Sequence, residues 1–439
     1  MAWTGLPDPV RRRLERAWPA DLEYLAEVAS QLSETGQQCY RDGQPAEAVG
    51  PTQGAVAIRR RLATLAPIRH EAPLATALSN LGVFLFALGE HQQALAATTE
   101  AVDSYRRVAS RDDRYREDLA SALNNQGNRL AAMGRLDQAL TATQEAVRLR
   151  RDLAAARPDL HLGDLAGSLN NLGVRCNELG QTEEAVRWAK ESVGIRRRQL
   201  DEHTTSTTIE AVAATDALRA ELASALNNLG AAQASAGEKQ MAIDATREAA
   251  DLYRVLTRHR PQRHLLDLAT TLSNLGSQEW EHQRPRPAEA TAEQAVLLFE
   301  ELAQDNPGVR GELATALNNL GVYRAANGKN TEALRAARSA VALSRQLAQA
   351  NQGFREDLAI ALNNLGTRLA ENAKPGDALT CAEEAVALME ELHHAFPQRY
   401  HRDLIDCLTN LTNRLIEADC YGEAERRRSQ AQRLRRDPA

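Results

Sequence analysis

Apolar positions return along this chain at helical spacing, and small residues punctuate them at fixed intervals. Leucine stands four places before a glycine at Leu78, Leu123, Leu169, Leu226, Leu272, Leu317 and Leu362. Alanine follows that glycine by twelve places in every copy, from Ala48 to Ala424, and by nineteen in all but one, where Ser192 stands. Gaps of four and seven hold residues on one face of a helix. The glycines are Gly36, Gly82, Gly127, Gly173, Gly230, Gly276, Gly321 and Gly366, with Thr412 in the ninth place; the spacings are 46, 45, 46, 57, 46, 45, 45 and 46. The line DLASALNNQG ending at Gly127 returns as DLAGSLNNLG, ELASALNNLG, DLATTLSNLG, ELATALNNLG and DLAIALNNLG. Nine copies of a unit too small to bury its own apolar face predict a stack of helix pairs, an all-α array over residues 21–436.

Each copy predicts a helix A carrying the leucine and glycine, and a helix B carrying the two alanines. Seven places after the glycine, Gly43, Gly89, Gly134, Gly180, Gly237 and Gly328 mark the turn between them, a position for left-handed dihedrals. Gln283 and Ala373 take that place in repeats six and eight, where turns of different shape are expected. Pro67, Pro158, Pro261, Pro307 and Pro397 are expected to close helix B. An acid nine before the glycine (Asp118, Asp164, Glu221, Asp267, Glu312, Asp357, Asp403) falls in the expected first turn of helix A. An arginine twenty-four after it (Arg60, Arg106, Arg151, Arg197, Arg254, Arg345, Arg436) falls near the end of helix B. Both signs suit the helix dipole.

Three stretches depart from the period. Residues 1–20 read as an N-terminal capping helix, with Trp3 and Trp18 available to cover repeat one. Residues 201–212 form an insertion: DEHTTSTT over 201–208 reads as loop, and a long helix A follows. Residues 420–439 read as a basic C-terminal cap, because Thr412, Asp419 and Gln432 replace the usual glycine, glycine and valine.

The pattern L-x2-L-G followed by alanine at twelve resembles the tetratricopeptide repeat, lengthened from its usual unit to 45 or 46 residues. That resemblance implies a right-handed superhelical α-solenoid of nine helix pairs, with helix A on the concave side. The LNNLG line, the G-x3-EA turn and the EAV-x-L-x-R helix further resemble the repeats of kinesin light chains and related bacterial proteins. There the first asparagine of the pair faces a peptide groove, which implies Asn124, Asn170, Asn227, Asn318 and Asn363 here. No heptad coiled coil accompanies these repeats, so a motor subunit is not implied, and acidic-peptide binding does not carry over.

Composition narrows the function. Net charge is −6 over 439 residues, and aromatic and basic residues do not interleave, which disfavours nucleic acid. Only four of 53 basic residues are lysines, a bias that high-GC bacterial genes share. The five cysteines form no CxxC pair and suit a reducing, cytoplasmic setting. No apolar run is long enough for a membrane span, and the first residues do not read as a signal peptide. There is no P-loop, GxGxxG or GxSxG, and His393, His394 and His401 form the one histidine cluster, without metal-ligand spacing around it. The expectation is a non-catalytic protein with no cofactor and no metal.

The polar signal that recurs is the asparagine pair. Two places before the glycine stand Asn80, Asn125, Asn171, Asn228, Asn274, Asn319, Asn364 and Asn410, most simply read as locking adjacent repeats. Three before it stand Asn124, Asn170, Asn227, Asn318 and Asn363, which face the expected groove; an amide can hold a peptide backbone of any sequence. With Asn128, Asn177 and Trp280 on the same face, these are the candidate contacts to a protein or peptide partner. Phe86, Trp280 and Ile416 are the large side chains on an otherwise small, weakly charged surface. Two other readings stay open: a regulatory array that senses a small molecule or peptide, and a peptide-modifying enzyme built on the groove. The sequence leaves the oligomeric state open.

Overall fold

The structure is a computed structural model that describes residues 22–203 and 209–436. The N-terminal cap expected over 1–20 lies outside the described residues, as do 204–208 of the insertion and 437–439. The described residues form eighteen α-helices and three 3-10 turns, with no strand. The chain divides into two compact units, Met1–Val212 and Ala213–Ala439.

In the first unit, α1 (Leu22–Arg41) pairs with α2 (Pro45–Leu65), and α3 (Pro67–Ala87) with α4 (His91–Ala109). Then α5 (Arg116–Ala132) pairs with α6 (Leu136–Ala156), and α7 (Pro158–Glu178) with α8 (Thr182–His203). The second unit begins within α9 (Ile209–Ser235), the longest described helix, which is followed by α10 (Lys239–His259). It continues through α11 (Pro261–Glu281), α12 (Pro285–Asp305), α13 (Arg310–Ala326) and α14 (Asn330–Ala350). It ends with α15 (Arg355–Glu371), α16 (Pro375–Ala395), α17 (Pro397–Glu417) and α18 (Tyr421–Arg436). Odd helices are the A helices and even ones the B helices, and within each unit each packs chiefly on its chain neighbours, as in an α-solenoid.

Close approach within each pair has the expected cause. A Cβ on Gly82 would collide with Thr98 Oγ1 and come within 3.3 Å of the Ala94 carbonyl, and a Cβ on Gly173 would lie 3.2 Å from the Ala185 carbonyl. Ala94, Ala101, Ala139, Ala146, Ala288 and Ala295 are fully buried where the helices cross. In the tightest pairs a larger residue must push its neighbours aside.

Several local expectations need correcting. Pro67, Pro158, Pro261 and Pro397 close helix B as expected, but they also open the next helix A at its first turn. The residue before each, with φ near −140°, ends helix B because proline excludes the helical conformation there. Elsewhere Asp112, Asn306 and Asn351 accept from the backbone N–H two residues on and start a 3-10 turn. The acid column therefore lies in the first helical turn only at Asp118, Glu312 and Asp357; in the proline-led helices it sits a turn or more inside. Asp201, Glu202 and His203 continue α8 and are not loop.

Repeats six and eight do not change the A-to-B turn. Gln283 (φ 56°) and Ala373 (φ 55°) adopt the same left-handed conformation as the glycines, and Asp419 (φ 58°) does so in repeat nine. The backbone bonds match too: Gly134 and Arg135 donate to Ala131 and Leu130, as Gln283 and Arg284 donate to Trp280 and Glu279. The hydrogen-bonded turn dictates the dihedral, and a side chain there bears about 1–2 kcal/mol of strain.

Candidate functional site

Two ladders of side chains join successive repeats, and their lengths differ. On the B side, Arg60 reaches Glu100 (2.6 Å), Arg106 reaches Glu145 (2.6 Å), Arg151 reaches Glu191 (2.7 Å) and Arg345 reaches Glu384 (2.6 Å). The arginine column thus pairs with an acid one repeat later, at the eighteenth place after its glycine. Dipole compensation within its own helix is not its main role. On the A side the links are short amides. Asn171 donates to Asn124 (3.0 Å), Asn274 to Asn227 (3.2 Å), Asn364 to Asn318 (3.0 Å) and Asn410 to Asn363 (3.0 Å). The short link fits the packing. Neighbouring A helices touch (α1 with α3, α5 with α7, α11 with α13, α13 with α15, α15 with α17), and no B helices approach one another as closely among the described residues. The A helices therefore line the inner side of each stack.

The two asparagine columns form one device. The column two before the glycine donates and the column three before it accepts. The ladder is absent where serine takes the accepting place, at Ser79 and Ser273, whose side chains are too short. Asn124, Asn227, Asn318 and Asn363 commit Oδ1 to the ladder; their Nδ2 groups make no bond among the described residues. All four, with Asn128, Asn170 and Asn177, are half-buried on the A face. The Asn177 Oδ1 is buried without a partner. Trp280 is 37% exposed and lies against Tyr323, ring centroids 5.2 Å apart. Phe86 is covered by the Arg129 guanidinium, 5.2 Å from its centroid; burial pushes that arginine down to about 10.

One column escaped the sequence reading. Twenty-three places after the glycine, in repeats one, two, three and five, a B-helix side chain reaches the A helix of its own repeat. Arg59 donates to Ser30 (3.1 Å), Tyr105 bonds Thr76 (2.9 Å), Arg150 donates to Ser121 (3.0 Å) and Tyr253 bonds Ser224. In each case the partner hydroxyl is six before the glycine of the same repeat. Arg150 also donates to the Asp164 carbonyl (2.8 Å) and to Ser168 Oγ (2.7 Å). The column then changes character: Phe299, Ser344 and Met389 follow in repeats six to eight, each buried. The signal was present in the sequence, since this column immediately precedes the arginine column, but its reach is a property of the stacking.

Where the column shortens, the A face opens into two adjoining cavities in the second unit. One, of about 390 Å3, lies over Phe299 and is lined by Thr270, Ser273, Glu312, Thr315, Phe354 and Asp357 among others. The other, of about 220 Å3, lies over Ser344 and is lined by Thr315, Asn318, Asn319, Asp357, Ile360 and Ala361 among others. Both far exceed the roughly 30 Å3 that a water occupies in the liquid. Thr315 and Asp357 belong to both. Neither Glu312 nor Asp357 is in an ion pair among the described residues. Burial, and then neighbouring Glu356, lift the Asp357 carboxyl above its ordinary value. This part of the face is thus more charged than the sequence suggested.

Two clusters bear on chemistry. Glu117, His161 and Asp164 bring possible ligand atoms within 4.8 Å of one another, a grouping that sequence spacing did not suggest. The expected histidine cluster pairs only His393 with His401, ring centroids 5.7 Å apart, and His401 Nε2 meets the Leu434 carbonyl. No described helix is long and apolar enough to cross a membrane.

Comparison with known proteins agrees with this architecture. Family models described as tetratricopeptide repeat match residues 73–152, and residues 165–203, 313–352 and 358–394. These stretches of the chain are tetratricopeptide repeats. No curated protein matches it in sequence. Among solved structures it is similar to aspartyl phosphate phosphatase F from Bacillus subtilis, with TM-score 0.52 and 14% identity over 93% of this chain and 94% of that one. The apo form of RapI is similar with TM-score 0.50 and 12% identity over 72% and 97%. BtubC (BKLC) from P. vanneervenii gives TM-score 0.43 and 20% identity over 65% and 94%. For aspartyl phosphate phosphatase F and RapI, at these identities, the likeness is one of fold.

Proposed function

We propose that this repeat protein is a non-catalytic scaffold whose A-helix face holds an extended peptide segment of a partner protein. The observation that carries this reading is the pairing on that face of fixed amide donors with open volume. The ladder ties each accepting asparagine by Oδ1 and so aims its Nδ2 group, a preset donor for a peptide carbonyl. The cavities over Phe299 and Ser344 supply room for side chains on the same face. A cytoplasmic setting belongs to the proposal; its support is that all five cysteines are free and that burial raises Cys176 to about 11 and Cys407 to about 12, which keeps them as unreactive thiols.

The test compares two bulky substitutions at exposed positions. Thr270→Trp fills the A face beside the larger cavity, whereas Leu297→Trp adds the same ring to α12, where Leu297 is 61% exposed. Random peptides displayed on phage are selected on the full-length protein, and the winners are titrated against both variants. Loss of binding at least tenfold for Thr270→Trp alone, with thermal unfolding unchanged in both, is the expected result. Equal binding by the two variants would overturn the proposal.

A further inference from the structure

We propose that the cavity over Ser344 is a socket for an arginine side chain of the bound peptide, held by Thr315 Oγ1 and the Asp357 carboxylate. This rests on the A face being the peptide-binding face. The argument comes from the chain's own repeats. In repeat three the same place is filled from within by Arg150, whose guanidinium donates to Ser121, to Ser168 and to the Asp164 carbonyl. Arg59 fills it in repeat one and bonds Ser30. In repeat seven the equivalent residue is Ser344, 1% exposed and far too short to reach the face. A volume of about 220 Å3 stands where the guanidinium would be.

One side-chain acceptor remains although the donor is gone, and a carboxylate stands beside it. Thr315 corresponds to Ser121, whereas the place of Ser168 is taken by Ala361. Asp357 corresponds to Asp164, which offers Arg150 its backbone carbonyl; the Asp357 carboxylate, in the wall of the cavity, is a further acceptor that repeat three does not use. Thr315 gives its hydroxyl hydrogen to the Gly311 carbonyl (3.2 Å), which leaves its oxygen lone pairs directed elsewhere as acceptors. Asp357 has no cation of its own among the described residues, and Glu312 adds a second unpaired carboxylate at the adjoining cavity. Tyrosine, the other residue the column uses, would satisfy the threonine and leave the carboxylate uncompensated. A planar guanidinium serves both through charge-assisted hydrogen bonds. The cavity over Phe299, with Phe354 in its wall, leaves space for the neighbouring ligand residue.

Random peptides displayed on phage are selected on the wild-type protein, on Ser344→Arg and on Asp357→Asn. Ser344→Arg restores the internal plug of repeat three. The wild type is expected to enrich arginine at one fixed position. A synthetic copy of the best peptide should lose about 10- to 100-fold in affinity when that arginine becomes citrulline, and a similar factor against Asp357→Asn. Ser344→Arg should unfold like the wild type yet select peptides without the arginine. Should that variant fail to fold, the Asp357→Asn and citrulline comparisons decide alone. Peptides selected without a basic preference, or bound equally by Asp357→Asn, overturn the socket and leave the scaffold reading standing. Failure of the wild type to select any peptide overturns both.

Discussion

The amide ladder between A helices can be weighed by a double-mutant cycle on Asn318 and Asn364, whose side chains meet at 3.0 Å. Asn364→Ala removes a neutral hydrogen bond worth about 1 kcal/mol net. The exchange also replaces a mediocre helix former with the best one, returning about 0.6 kcal/mol. Each single variant should therefore be destabilised by only about 0.4 kcal/mol, because the pair is half-buried and water can serve the widowed amide. The double variant loses the same single bond but gains helix propensity twice, so it should match or slightly exceed the wild type in stability, by about 0.2 kcal/mol. The coupling between the positions is then close to 1 kcal/mol, well above the roughly 0.3–0.5 kcal/mol scatter of independent sites. Urea unfolding followed by far-UV circular dichroism measures all four corners of the cycle. The same cycle on Asn227 and Asn274, at 3.2 Å, should give a somewhat smaller coupling. If the two substitutions simply add, the amides do not hold the repeats in register, and the aimed Nδ2 groups lose their structural basis.

Further expectations follow from single contacts. Glu100→Gln, which uncouples Arg60, should cost under about 1 kcal/mol, and the loss should shrink in high salt, since both partners are substantially exposed. Gly82→Ala should cost roughly 1–3 kcal/mol and lower the unfolding temperature more than Gly276→Ala does, because a Cβ on Gly82 strikes Thr98 whereas one on Gly276 finds its nearest neighbour at 3.4 Å. Ala373→Gly should raise stability by about 1 kcal/mol or less, releasing left-handed strain against a looser unfolded chain. Burial pushes Tyr105 up to about 12 from an unfolded value near 10. The folded state therefore keeps a proton that the unfolded chain gives up, and stability should fall as pH rises from about 10 to 12. Tyr105→Phe should flatten that fall in pH-dependent denaturant titrations.

Much of the fold was legible because its determinants are local. The glycine and the alanine twelve places on share one contact, and both columns are visible as text. What stayed hidden depends on stagger between repeats. The arginine column was plain in the sequence, but its partner lies 39 or 40 residues away on the next B helix, so an intrahelical account looked sufficient. Likewise the two asparagine columns looked like two candidates for two roles. Only the offset of neighbouring A helices reveals that one donates to the other. The sockets were hardest to see, since a cavity is made by what Ser344 lacks compared with Arg150, and absence has no motif.

The end of the B-side ladder has a consequence for assembly. Arg60, Arg106, Arg151 and Arg345 all project forward to an acid on the following helix, but at the last step the sense reverses. There Glu390 on α16 receives Arg427 (3.2 Å) and Gln430 (2.8 Å) from α18. An ordinary repeat placed after repeat eight would bring its own glutamate against Glu390 and be repelled. The last described repeat is thus matched in charge to the one before it. Exchanging it for an ordinary repeat would set two carboxylates together at a cost of under about 1 kcal/mol for groups this exposed, which favours the native order of units without enforcing it.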